Sequence, residues 1–241
     1  MKKFNWRKFI NRFVFFSLLI SAIFLIIRLF LAPAGNDVPY GRVKSDYVLM
    51  LVQCILGLFA MTLPGLFSHR FQIEIPSGML VLYAIFLYGA IFLGEVRSFY
   101  YTVPHWDTIL HTFSGGMLGA LGFSFVTLLN KTDKIPLNLS PIFIAIFAFC
   151  FAVTLGVFWE IYEFTFDGVL GLNMQKFSLE SGELLMGRAA LQDTMKDLIV
   201  DCLGAFIMAL VGYISLKYKT GFIEKLTLRK KKNHHDKRLS A

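Results

Sequence analysis

Six runs of mainly apolar residues, most of them as long as a helix that crosses a bilayer, decide what this chain can fold into. They cover roughly Phe13–Leu31, Val48–Phe67, Gly78–Leu93, Ile109–Leu129, Pro141–Tyr162 and Leu198–Leu216. About 20 such residues in a helix span the hydrocarbon core. The runs are continuous, without alternation of period two, so they predict helices and not the strands of a barrel. Composition agrees. Hydrophobic residues make up 56% of the chain and charged residues 17%, and Phe occurs 26 times; an average soluble domain is about 25% charged. A water-soluble core in 241 residues cannot enclose that much apolar surface. Disordered, collagen-like and disulfide-scaffold classes are excluded on the same grounds. Cys54, Cys150 and Cys202 all fall in apolar runs and read as small packing residues. The expected fold is all-α: a polytopic transmembrane helix bundle of about six spans, residues 1–216, followed by a basic cytoplasmic tail, 217–241.

Lys and Arg set the orientation. With the N-terminus inside, the cytoplasmic side receives Lys2, Lys3, Arg7, Lys8, Arg12, Arg70, Lys131, Lys134 and the nine basic residues from Lys217 onward. The outer side receives only Arg42, Lys44, Arg97, Lys176, Arg188 and Lys196. Both termini are therefore expected in the cytoplasm, and the net charge of +8 needs no nucleic acid to explain it. The first 35 residues share a basic start and a small-residue end with secretory signals. The apolar run is longer than such a signal uses and carries Arg28, so a retained first helix is expected. The tail from Arg229 to Arg238, including His234-His235, is expected to be disordered and reads as a solvated positive-inside anchor, with attraction to anionic lipid headgroups as the alternative. A short surface helix is expected around Leu184–Leu191, in the connection Glu163–Asp197.

The acidic residues are unevenly placed. Glu74, Asp133, Glu224 and Asp236 are expected inside, and the other twelve Asp and Glu at or near the outer face. Their spacing is helical. Asp107 and His111 are i and i+4 at the start of the fourth span. Glu160, Glu163 and Asp167 are i, i+3 and i+7 at the end of the fifth. Asp193, Asp197 and Asp201 are i, i+4 and i+8 at the start of the sixth. Each set occupies one helix face, and the three stripes end at similar depth. An ionisable group at the bilayer centre costs about 2.5–3.5 kcal/mol, less near the interface. Three stripes cost least when they face one another around water or a cation. Lys196 and Arg97 are the basic residues expected near them. Carboxylates with one imidazole suit zinc, manganese or magnesium. Asp107, His111, Asp197 and Asp201 are the candidate metal ligands, Glu160 and Glu163 the candidate general bases, and Asp167 and Asp193 further members of the cluster. Gly115-x-x-x-Gly119, Gly204 and Gly212 predict close helix packing. Ser114, at i+3 from His111, is a weaker candidate nucleophile.

The pattern Trp106-Asp107-x-x-x-His111, Trp159-Glu160-x-x-Glu163, Asp193-Thr194-x-x-Asp197-x-x-x-Asp201-x-x-Gly204-Ala205 resembles the YjdF-like bacterial membrane proteins and, more distantly, the VanZ-like group. Glu163 and Asp201 replace a glutamine and an asparagine that are usual in the VanZ-like pattern, and both raise the negative charge. The resemblance implies a helical, multi-pass protein of the bacterial cytoplasmic membrane and brings no established reaction. Three functions remain open: a metal-dependent hydrolase or transferase acting on a lipid or lipid-linked envelope substrate, a non-catalytic envelope accessory or binding protein, and a proton-coupled transporter.

Overall fold

The computed structural model describes residues 5–31, 44–130, 139–179 and 183–231. The chain forms α1 (Trp6–Leu31), α2 (Lys44–Arg70), α3 (Ser77–Leu87), α4 (Phe99–Thr102), α5 (Trp106–Asn130), α6 (Pro141–Leu170) and α7 (Arg188–Tyr218). α3 continues without a break into a π-helical segment, Tyr88–Val96. Six helices are long and apolar enough to cross a membrane, α3 counted together with its π-helical continuation. The protein is an all-α polytopic membrane bundle. Asp37, Asp133, Glu180, Asp236 and the His234-His235 pair lie outside the described residues.

The helices run past the apolar segments at both ends. α6 reaches Leu170 and α7 begins at Arg188, so both ends of the Glu163–Asp197 stretch expected to be a connection, about half of it, are helical. Amphipathic spacing continues the helix into the interface, where polar side chains reach water. The separate surface helix around Leu184–Leu191 is not formed. Leu184 instead pairs with Ser178 in an antiparallel bridge, and Arg188 opens α7 itself. Local signals set the α6 ends. The Ser140 side chain accepts from the Phe143 N–H at 3.3 Å, with Pro141 in the first turn. At the other end Gly171, at φ 62°, donates its N–H to the Asp167 carbonyl.

Among the described residues the bundle has two main cores and a smaller cluster, in which Leu49 of α2 packs on Leu172 and Met174 after α6. In one main core, Leu18 and Leu25 of α1 pack on Cys54 of α2, Ala84 of α3 and Ile91 of the π-helical segment. In the other, Phe123 of α5, Ala148 of α6 and Ile223 after α7 pack together. α5 and α7 share the most extensive interface. Their backbones touch: a Cβ on Gly204 would overlap the Thr112 carbonyl, and one on Gly115 the Asp201 carbonyl. The expected role of these glycines in close packing is met. Large apolar side chains such as Phe16, Ile20, Phe24, Phe158 and Ile207 are exposed, as in helices that face lipid.

Beyond α7 the chain turns back. Ile223 N–H donates to Ser215 Oγ at 3.0 Å, and Ser124 Oγ donates to the Leu226 carbonyl at 3.0 Å. Arg229–Lys230 (β2) then pairs antiparallel with Ile73–Glu74 (β1) in the α2–α3 turn. This ribbon places the α2–α3 turn and the end of α7 at one end of the bundle. The start of α5, the end of α6 and the start of α7 lie at the other.

Candidate functional site

His111 is the centre of the polar end. Its two ring nitrogens face different partners. Nδ1 lies 3.3 Å from Asp201 Oδ2. Nε2 lies 3.7 Å from Asp107 Oδ1 and 4.0 Å from Asp197 Oδ2. The side chains of Asp107, His111 and Asp197 are 23%, 11% and 3% exposed, so the group sits in a nearly closed recess. One ligand atom from each of these three residues falls within 4.8 Å of the others, close enough for all three to bind one ion.

Asp201 is held on the opposite side of the ring. Ser114 Oγ shares its proton between Asp201 Oδ1 at 3.0 Å and the His111 carbonyl at 2.8 Å. Gly156 leaves room for this carboxylate, since a Cβ there would lie 2.8 Å from Asp201 Oδ2. A carboxylate on Nδ1 favours the tautomer with its proton on Nδ1, which turns the Nε2 lone pair toward Asp107 and Asp197. The four candidate ligands therefore divide: Asp107, His111 and Asp197 converge, and Asp201 orients the ring. Ser114 is committed to Asp201 and the helix carbonyl, not to Nε2, where a base would have to activate it.

Glu160 is 5% exposed, and no donor meets its carboxylate oxygens with good hydrogen-bond geometry. The Thr194 hydroxyl and Gln175 amide stand beside it and bond each other at 2.8 Å. Asp197 Oδ1 is likewise enclosed without a hydrogen bond. Glu163 and Asp193 are half-buried. Asp167 has another task. Its oxygens accept the Met174 N–H at 2.7 Å and the Gln175 N–H at 2.9 Å. It ties down the α6–α7 loop.

The cation that faces this cluster is Lys176, in place of the expected Lys196 and Arg97. Its Nζ lies 3.4 Å from Glu95 Oε1, with side-chain exposures of 17% and 8%. The ammonium also sits 4.9 Å from the Tyr100 ring and 5.3 Å from the Tyr101 ring. Lys196 is half-buried beside Asp193, and Arg97 is exposed. Glu95 lies in the last turn of the π-helical segment. Such segments are rare and concentrate at functional sites. Glu95 sits near the end of an apolar run, and Lys176 is 81 residues away in sequence, so no spacing signal could join them. The Trp106 indole N–H donates to the Gly89 carbonyl at 3.1 Å.

The chain is similar to an uncharacterized protein of Thermotoga maritima, 28% identical over 198 residues, which cover 80% of this chain and 90% of that one. No solved structure matches it. The family described as "Predicted membrane protein (DUF2238)" matches residues 12–218, a stretch that runs from α1 to the end of α7 and holds the whole polar cluster, and the chain belongs to that family.

Proposed function

We propose that this chain is a YjdF-like protein of the bacterial cytoplasmic membrane. Its polar cluster binds a divalent cation near the extracytoplasmic interface, for hydrolysis of, or group transfer on, a lipid or lipid-linked envelope substrate. The family match supports the YjdF-like reading and lends none to the VanZ-like one. The side follows from the bias of Lys and Arg. One observation carries the cation: His111 offers Nε2 between two carboxylates while Asp201 holds Nδ1. A metal-binding histidine nearly always donates its other N–H in this way. With His111 neutral as a ligand and Lys176 already paired with Glu95, the carboxylates Asp107, Asp197, Asp201, Glu160, Glu163 and Asp193 have no cation of their own, and a divalent ion offsets the surplus. A bound divalent ion supplies an activated water or a polarised carbonyl or phosphoryl oxygen. Glu160, enclosed beside the Thr194 hydroxyl and the Gln175 amide, takes the proton of the attacking water, and Glu163 lies one turn beyond it on the same face. The competing reading is a cluster that only locks α5, α6 and α7 together.

Elemental analysis of the detergent-purified protein separates these readings. Near-stoichiometric zinc, manganese or magnesium is expected, with Asp107→Asn and His111→Ala binding at least ~100-fold more weakly at unchanged folding. Absence of metal after dialysis against each ion in turn overturns the proposal in favour of the structural lock. Asp201→Asn makes a finer test. The amide keeps the shape but loses the charge on Nδ1, so metal affinity falls about 10–100-fold, measured by competition with a chromophoric chelator. An unchanged affinity would remove Asp201 from the site.

A further inference from the structure

At the end of the bundle opposite the polar cluster, the segment after α7 is folded and bears charge. β2 pairs with β1, and Lys231 N–H adds a bond to the Gln72 carbonyl at 2.8 Å. Main-chain bonds therefore hold Arg229, Lys230 and Lys231 beside Arg70, with Lys217 and Lys225 close by in the chain. All six side chains are exposed. Two carboxylates of the described residues belong to this surface. Glu74 is exposed and Glu224 is half-buried, which leaves a strong positive excess. Like charges held together in this way repel one another and are relieved by an anionic partner.

The partner's form follows from the surroundings. Phe71, Phe222 and Tyr218 are 59%, 48% and 67% exposed and sit where the apolar helices end. Basic side chains interleaved with exposed aromatics at that depth match the headgroup layer. The charges are spread along a ribbon and do not converge on a buried polar side chain, so they fit a sheet of anions better than one free ion. We propose that the β1–β2 ribbon and its flanking basic residues are a docking surface for anionic phospholipid headgroups of the adjacent leaflet. The ribbon also joins the α2–α3 turn to the segment packed under α5 and α7. Headgroups bound along it therefore brace the two cores against each other. This inference is independent of the cation site.

The test is thermal unfolding of the full chain in nanodiscs of phosphatidylcholine, with or without about one quarter phosphatidylglycerol, at equal ionic strength. The anionic lipid is expected to raise the midpoint by about 4 °C. The variant Arg229→Gln/Lys230→Gln/Lys231→Gln should lose most of that rise. Arg7→Gln/Lys8→Gln/Arg12→Gln, which removes equal charge from the same side, should keep it. Should the ribbon variant unfold lower in phosphatidylcholine alone, the difference between lipids within each variant is still the readout. The proposal is overturned if the native chain shows no rise or if both variants lose it equally. It is overturned too if inorganic phosphate reproduces the rise in phosphatidylcholine discs.

Discussion

Lys176→Met destabilises the protein by about 3 kcal/mol, measured by chemical unfolding in detergent micelles. The substitution keeps an unbranched chain between the rings of Tyr100 and Tyr101 but leaves the Glu95 carboxylate enclosed and unpaired. Breaking a buried pair from one side costs about 3–5 kcal/mol, because the remaining charge keeps its desolvation penalty. Partial exposure of Lys176, 17%, places the expectation at the lower end. Adding Glu95→Gln removes the orphaned charge and should recover most of the loss, since buried pairs replaced as a unit are often nearly neutral. Equal costs for the single and double variants would show that the packing of the lysine stem matters and the charge pair does not. The pH dependence has a definite sign. Burial lowers the Lys176 pKa, but Glu95, Tyr101, Glu163 and Asp107 together outweigh it and hold the group above the ordinary 10.5. A raised folded-state value means that the stabilisation is fully present below the ordinary lysine value and is lost only as pH rises past the raised one. The gap between native and Lys176→Met stability should thus stay constant through the neutral and mildly alkaline range.

Length and periodicity made the helices legible in the chain. A run such as Pro141–Tyr162 is too long and too apolar to be anything but a span, and its cap residues Ser140 and Gly171 are local signals. The stripes were legible for the same reason, since i, i+4 spacing fixes Asp107 below His111 once a helix is granted. Depth was harder to read. Hydropathy marks where side chains stop being apolar, not where the backbone stops being helical, so the sixth apolar run starts at Leu198 and leaves Asp193 and Asp197 just before it. They lie inside α7. What spacing could not give was the division of labour around one ring. Asp197 and Asp201 share a helix face, yet one faces Nε2 and the other Nδ1, because Gly115 and Gly156 admit Asp201 more deeply. Asp167 has the same sequence credentials as Glu160 and Glu163, and only the return of the loop at Met174 and Gln175 gives it a different task. The Lys176–Glu95 pair joins segments with no pattern in common.

Gly204→Ala should cost about 3 kcal/mol and loosen the site together with the fold. The new Cβ would overlap the Thr112 carbonyl, which is backbone and cannot rotate away. Overpacking of this kind forces helices apart, typically at about 1–3 kcal/mol, and a rigid obstacle puts the case at the upper end. Thr112 follows His111 directly, and Asp201 lies one turn before Gly204. The contact that a methyl group opens is thus the one that sets the 3.3 Å approach of Asp201 to Nδ1. Gly116→Ala is the matched control. Its Cβ would meet the Gly204 carbonyl at 3.7 Å, an ordinary contact, and a glycine-to-alanine change inside a helix gains roughly 1 kcal/mol of helix propensity. Thermal unfolding in micelles should therefore show Gly204→Ala well below the native midpoint and Gly116→Ala at or above it, and cation affinity should fall only in the first. If Gly204→Ala unfolds with native stability, α5 and α7 do not touch there. If it unfolds early but binds the cation as tightly as the native chain, the α5–α7 contact does not hold His111 and Asp201 in register.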